Sequence, residues 1–139
     1  MNLVRTLLVG FATAVALALS SPAIASAATT VPFQIDPAPF GNPNGSFDVP
    51  AIRCAAEVGN RPGTATITGG KPGRWGCLIY AEVRWLNLST GATGYARMSD
   101  GLNGFPPEAV LQTGVGQVVV TVLPLPGNVT PGFATFFVP

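Results

Sequence analysis

The sequence predicts an all-β fold, an antiparallel sandwich of about seven strands pinned by one disulfide bond. Alternating or β-branched runs recur at roughly ten-residue spacing between turns rich in Gly and Pro, as in sandwiches and barrels. The longest run, Cys77-Leu-Ile-Tyr-Ala-Glu-Val-Arg-Trp-Leu-Asn87, opens on one of only two cysteines and alternates throughout. No segment sustains helical periodicity, and no fixed-period repeat is visible.

The sequence begins with an export pattern. Arg5 supplies a positive start, Leu7 to Leu19 a 13-residue apolar stretch, and Ala25-Ser26-Ala27 a small-residue cleavage site, with Ala23-Ile24-Ala25 as a second one. Thirteen residues fall short of the roughly 20 that a spanning helix needs. Residues 1–27 are therefore expected to be a cleaved secretory signal peptide, and residues 28–139 a single β-sandwich domain with no transmembrane segment. There is no twin-Arg pair, which favours the general secretory route. Cleavage leaves 139 − 27 = 112 residues, suited to one core.

Thr29 to Asp36 alternates weakly and contains Pro32, which suits an edge or first strand. Pro37 to Gly45 stacks turn formers and reads as a surface loop. Phe47 to Val58 is the next expected strand, with Ile52, Cys54, Ala56 and Val58 on one face and Arg53 and Glu57 on the other; Pro50 implies an edge or a bulge. Gly59 to Gly63 is a turn, Thr64 to Thr68 a short strand, and Gly69 to Gly76 a second turn-rich segment. In the long run that follows, Ile79, Ala81, Val83 and Trp85 form an apolar face, with Trp85 expected in the core, against a mixed face of Leu78, Tyr80, Glu82, Arg84 and Leu86. Asn87 to Gly94 connects as a hairpin into Tyr95 to Ser99. Asp100 to Pro107 is irregular, Gln117 to Leu123 is a Val-rich strand, Pro124 to Asn128 breaks it, and Phe133 to Val138 closes the fold.

Only 9% of the residues are charged and 47% are apolar, against about 25% charged in ordinary soluble domains. That balance is the reverse of disorder. Loss of Arg5 leaves six basic and six acidic side chains, so nothing draws the mature protein to nucleic acid. The sparse charge leaves weakly polar surface that either Ser, Thr, Asn and Gly solvate or an apolar neighbour covers.

Cys54 and Cys77 have 22 residues between them. In an oxidising compartment they are expected to pair, a constraint worth roughly 3 kcal/mol through the unfolded state. No C-x-x-C is present, and zinc lacks partner ligands. The sequence has no histidine, which removes Ser-His-Asp and Cys-His catalysis, His-containing metal sites and the commonest general base. Lys71, the only lysine, lies in a turn without an S-x-x-K or G-x-S-x-G motif. The carboxylates Asp36, Asp48, Glu57, Glu82, Asp100 and Glu108 are dispersed and fall in no hydrolase signature. The expectation is a protein that is not an enzyme, with no catalytic residues, no cofactor and no metal.

Arg74 and Trp75 stand together in a turn just before Cys77. An Arg beside an exposed Trp stacks on a sugar, an aromatic ligand or a partner's side chain; the competing reading has the indole packed over the disulfide. With Tyr80 and Tyr95 they form the candidate binding set. Asp100-Gly-Leu-Asn103-Gly has the look of a calcium-loop fragment but lacks the further acidic ligands, and a turn is the better reading. Asn44-Gly-Ser46, Asn87-Leu-Ser89 and Asn128-Val-Thr130 match the glycosylation sequon.

The Ala-rich leader, the neutral Gly/Pro/Thr-rich remainder, the single cysteine pair and the ending Gly132-Phe-Ala-Thr-Phe-Phe-Val-Pro139 resemble the small uncharacterised exported proteins of actinobacteria, many of which have an immunoglobulin-like sandwich. Antibody-type domains place a Trp between widely separated cysteines, whereas Trp75 precedes the second cysteine by two residues, so that pattern is not met. The leading expectation, read from the residues, is a secreted, non-enzymatic β-sandwich that works at or near the cell envelope by contact, binding an envelope protein, glycan or lipid through its end loops. Two other functions remain open: a carrier of a small apolar ligand, and a structural or oligomer-forming envelope component. An enclosed cavity would favour the carrier, and a flat apolar sheet face would favour assembly.

Overall fold

The computed structural model describes residues 27–77, 80–124 and 129–139. The expected signal peptide, Ala27 apart, lies outside the described residues, as do Leu78 and Ile79 of the long run and Leu125 to Asn128. The described residues form ten strands: β1 Thr29–Pro32, β2 Ala38–Pro39, β3 Cys54–Val58, β4 Thr64–Gly69, β5 Ala81–Asn87, β6 Thr93–Arg97, β7 Ala109–Gln112, β8 Gly116–Pro124, β9 Val129–Thr130 and β10 Gly132–Val138. A single 3-10 turn, Pro72–Arg74, is the only helical element among the described residues, and none there is long and apolar enough to cross a membrane.

Two four-stranded sheets, ordered β1-β3-β4-β7 and β10-β8-β5-β6, carry the fold, and β2 pairs with β9 in a two-stranded ribbon. All these pairings are antiparallel. The second sheet has the strand order G-F-C-C′ of variable-type immunoglobulin domains, whereas the first keeps the consecutive strands β3 and β4 side by side.

Period-two alternation supplies the core. Cys54, Ala56 and Val58 of β3 and Ala65 and Ile67 of β4 face Ala81 and Val83 of β5, Val118, Val120 and Val122 of β8, and Ala134, Phe136 and Val138 of β10, all buried in one cluster. Trp85 belongs to this face but stays half-buried: it pairs across the sheet with Gly94, and a Cβ at Gly94 would stand 2.6 Å from its ring. The ring occupies the space that glycine leaves at the β6 edge.

The expected strand from Phe47 to Val58 begins only at Cys54. Ser46 N–H donates to Val49 O (2.7 Å), Val49 N–H donates to Ser46 Oγ (3.2 Å), and Gly45 bridges to Pro50, so the segment closes on itself and Phe47 is wholly exposed. Pro50 has no N–H to extend a ladder. Ile52 nevertheless reaches the core. The expected surface loop at Pro37 to Gly45 also turns inward at its start, where Pro37 and Ala38 are buried.

The disulfide joins Cys54 on β3 to Cys77, whose segment leads into β5, with a Cα separation of 4.6 Å. The turn between them is sewn down from both sides: Arg53 N–H donates to Gly76 O (2.7 Å), and Gly70 N–H donates to Arg53 O (3.0 Å). The segment after β1, which bonds Cys54 through Phe33 N–H (3.0 Å) and Asp36 Oδ1 (2.7 Å), also covers the β10 edge at Phe133 and Thr135. Ile35 and Phe133 exchange backbone hydrogen bonds of 3.1 and 2.7 Å, and Thr135 N–H donates to Gln34 Oε1 (2.7 Å).

Candidate functional site

Arg74 adopts φ 67°, the left-handed region, within a turn closed by Arg74 N–H donating to Lys71 O (3.0 Å) and Lys71 N–H donating to Trp75 O (2.9 Å). A non-glycine residue there carries strain, and its surroundings hold it. Thr68 Oγ donates to Arg74 O (3.2 Å) and lies 3.0 Å from Pro107 O. The guanidinium then reaches one carboxylate on the first sheet and one just before β7: Nε lies 3.1 Å from Glu57 Oε1, and Nη2 lies 2.9 Å from Glu108 Oε2. Nε is shielded from solvent but lacks the alignment for a hydrogen bond to Glu57, so charge alone holds that contact. Arg74 is thus a clamp spanning β3 to the start of β7 before it is a recognition group.

Beyond Arg74 a groove of about 490 Å³ opens between the β6 and β7 edges, where the two sheets part. Ala96 and Ala109 contribute small side chains to its lining, and Phe105 and Val110 apolar surface that is 73% and 47% exposed. Arg97 lines the groove too, with no carboxylate within ion-pairing distance among the described residues. One end is tied shut: Ser99 N–H donates to Glu108 O (2.9 Å), and Glu108 N–H donates to Ser99 Oγ (2.9 Å). The arrangement is an amphipathic trough whose Arg97 is left unpaired by the described residues, chemically suited to an apolar group bearing a negative end.

Of the candidate residues, only Arg74 lines this groove. Tyr95 lies on the same outward face of β6 as Arg97 and is exposed, and it pairs across the sheet with Arg84. Tyr80, also exposed, enters β5 at the sheet end where Met98 N–H donates to Ala81 O (3.1 Å) and Ser99 leaves β6. Trp75 is 39% exposed, and its indole sits beside Gly73. Arg97, Phe105 and Val110 were not legible as site residues, because each is an ordinary residue until the consecutive strands β6 and β7 end up on the edges of different sheets with the segment between them folded over the gap.

A second groove of about 580 Å³ lies by the β2–β9 ribbon, lined by Ile35, Asp36, Asn44 and Arg53 among others. Its charges are engaged: Asp36 Oδ1 accepts Cys54 N–H (2.7 Å), and Arg53 Nη1 donates to Pro43 O (3.1 Å) and Ile52 O (2.7 Å) and lies 3.6 Å from Asp36 Oδ2. Among the described residues no group of three or more His, Cys, Asp or Glu is placed to hold a metal ion. Comparison with protein-family models, with curated proteins and with solved structures finds no match.

Proposed function

We propose that the protein is an exported, non-enzymatic contact module that works at the cell envelope, with the β6–β7 groove as its binding site. The observation that carries this reading is exposed Phe105 and Val110 beside Arg97, whose guanidinium has no acidic partner among the described residues. Exposed aromatic and Arg side chains together are the residue types from which binding hot spots are built. The N-terminal export pattern and the Cys54–Cys77 bridge support an oxidising, extracytoplasmic setting. The ligand is an envelope protein, glycan or lipid that presents an apolar group next to an acidic one.

The test is co-sedimentation of the mature protein with envelope fractions from the cells that produce it. The wild type is expected in the pellet, and an Arg97→Glu/Phe105→Ser double variant in the supernatant with its thermal unfolding unchanged. Equal retention of the two would remove the groove from consideration.

The assembly reading also has a specific observation behind it. On the outward face of the second sheet, Leu86, Tyr95 and Phe137 are exposed, and half-buried Val119 and Leu123 share that face. Glu82, Arg84, Gln117 and Thr121 are interspersed on this face, and the apolar area exposed among them favours self-association. Sedimentation of Tyr95→Ser/Phe137→Ser against the wild type distinguishes it, since the groove reading expects both to be monomers.

A further inference from the structure

We propose that Asn103-Gly104 is a site of spontaneous succinimide formation, and that the fold directs this chemistry to Asn103 and away from Asn44-Gly45, the other Asn-Gly pair in the sequence. Glycine has no Cβ to keep its nitrogen from the preceding side chain. In the reaction, the backbone nitrogen of the glycine attacks Cγ of the asparagine. A new C–N bond closes a five-membered imide, the Cγ–Nδ2 bond of the amide breaks, and ammonia leaves carrying the displaced proton. Water then opens the ring at either carbonyl, giving aspartate or isoaspartate. The only co-reactant is water.

The two sites differ in what holds the attacking nitrogen. Leu102 to Phe105 is a turn closed by Phe105 N–H donating to Leu102 O (3.2 Å), with Asn103 at φ 59° and Gly104 at φ 80°, both left-handed as in a type I′ turn. That closure consumes the Phe105 N–H. It leaves Gly104 N–H without a hydrogen-bond partner among the described residues, and both central residues are exposed. Nothing stands within 4 Å of the position a Cβ on Gly104 would take. The imide therefore has room to form.

At the other pair the backbone is pinned. Gly45 N–H donates to Asn42 O (3.2 Å), Asn44 N–H donates to Asn42 Oδ1 (3.2 Å), and Asn42 Nδ2 donates to Gly45 O (2.8 Å). A Cβ on Gly45 would meet the backbone of Pro50 at 2.7 Å, so the glycine is also walled in. Attack at Cγ of Asn44 requires this net to open first, which slows it by about tenfold relative to Asn103. Conversion at Asn103 places a new carboxylate two residues from Phe105. Isoaspartate, in addition, lengthens the backbone by a methylene and breaks the turn that sets Phe105 in the groove wall.

The experiment is a timed incubation of the mature protein at mildly alkaline pH, folded and in denaturant, with peptide mass mapping and enzymatic methyl labelling of isoaspartate. In the folded protein the Asn103 product is expected about tenfold ahead of the Asn44 product, and in denaturant the two rates converge. Asn103→Gln removes the first product and leaves the second unchanged. Equal rates in the folded protein, an Asn44 product that leads, or a preference that survives denaturation would each overturn the proposal. So would an Asn103 that converts only when the protein is unfolded.

Discussion

The side-chain amide of Asn87, wholly buried at the end of β5, donates from Nδ2 to the carbonyl of Thr113 at 2.9 Å and to that of Val115 at 3.1 Å. Its oxygen accepts Ser89 N–H (2.9 Å) and Thr90 N–H (3.2 Å). One residue thus closes the β5–β6 hairpin and fastens it to the β7–β8 connection.

Replacing Asn87 by Ala strands two carbonyls and two N–H groups, at a cost of about 2–4 kcal/mol in stability. Asn87→Asp is expected to be at least as damaging, since a carboxylate cannot donate to either carbonyl and brings a buried charge. Denaturant unfolding of both variants checks this; an Asp variant more stable than the Ala variant contradicts the assignment. Although Asn87 heads a sequon, its amide is fully engaged, so in a glycosylating host Asn44 is expected to carry glycan and Asn87 none.

Gly94→Ala drives a methyl into the Trp85 ring, and a loss of about 1–3 kcal/mol is expected. Trp85→Phe withdraws the outer ring and makes room. The double variant should therefore lose less than the sum of the two single changes, by more than the roughly 0.5 kcal/mol scatter of independent sites. Strict additivity in thermal unfolding would mean that the ring does not rest on Gly94.

Arg74 combines a strained backbone with two partly exposed ion pairs, and these separate by substitution. Arg74→Ala loses the pairs and keeps the strain, whereas Arg74→Gly loses the pairs and relieves it, so the Gly variant is expected to be the more stable by about 1 kcal/mol. The pairs themselves contribute no more than about 1 kcal/mol each, weakening as salt is added. Unfolding of both variants at low and high ionic strength separates the two effects.

A Cys54→Ala/Cys77→Ala variant forfeits the loop constraint, an expected loss of about 3 kcal/mol. For a domain of this size that lowers Tm by roughly 10–20 °C. Calorimetry of the double variant, beside wild type with and without reductant, tests it. Superimposable traces would show that the hydrogen bonds of Arg53 to Gly70 and Gly76 hold the turn by themselves.

The sandwich, the cysteine bridge and the inward faces of β4 and β8 could be read from the sequence because period-two alternation is a local signal. Thr64 to Thr68 and Gln117 to Leu123 extend by one or two residues to Thr64–Gly69 and Gly116–Pro124 and keep their faces. Phe47 to Arg53 misled the pattern because the Ser46–Val49 turn is built from side-chain and backbone hydrogen bonds that hydropathy does not carry. Pro37 and Ala38 are buried where β2 meets β9, a partner strand near the other end of the sequence. Arg74 stood out as a polar residue beside an aromatic one. The carboxylates that hold it come from β3 and from the residue before β7, and no spacing rule links positions 57, 74 and 108.

The backbone exchange between Ile35 and Phe133 bears on solubility. Were residues up to Asp36 trimmed away, the outer edge of β10 would present unpaired amides and carbonyls beside exposed Phe137, a template for a strand of another copy. Gln34 and Ile35 therefore shield the β10 edge at Thr135 and Phe133 from pairing with another copy. A Gln34→Ala/Ile35→Pro variant, which lacks both the Gln34 Oε1 acceptor and the Ile35 N–H donor, is expected to self-associate more than the wild type in light scattering; equal scattering would contradict the shielding role.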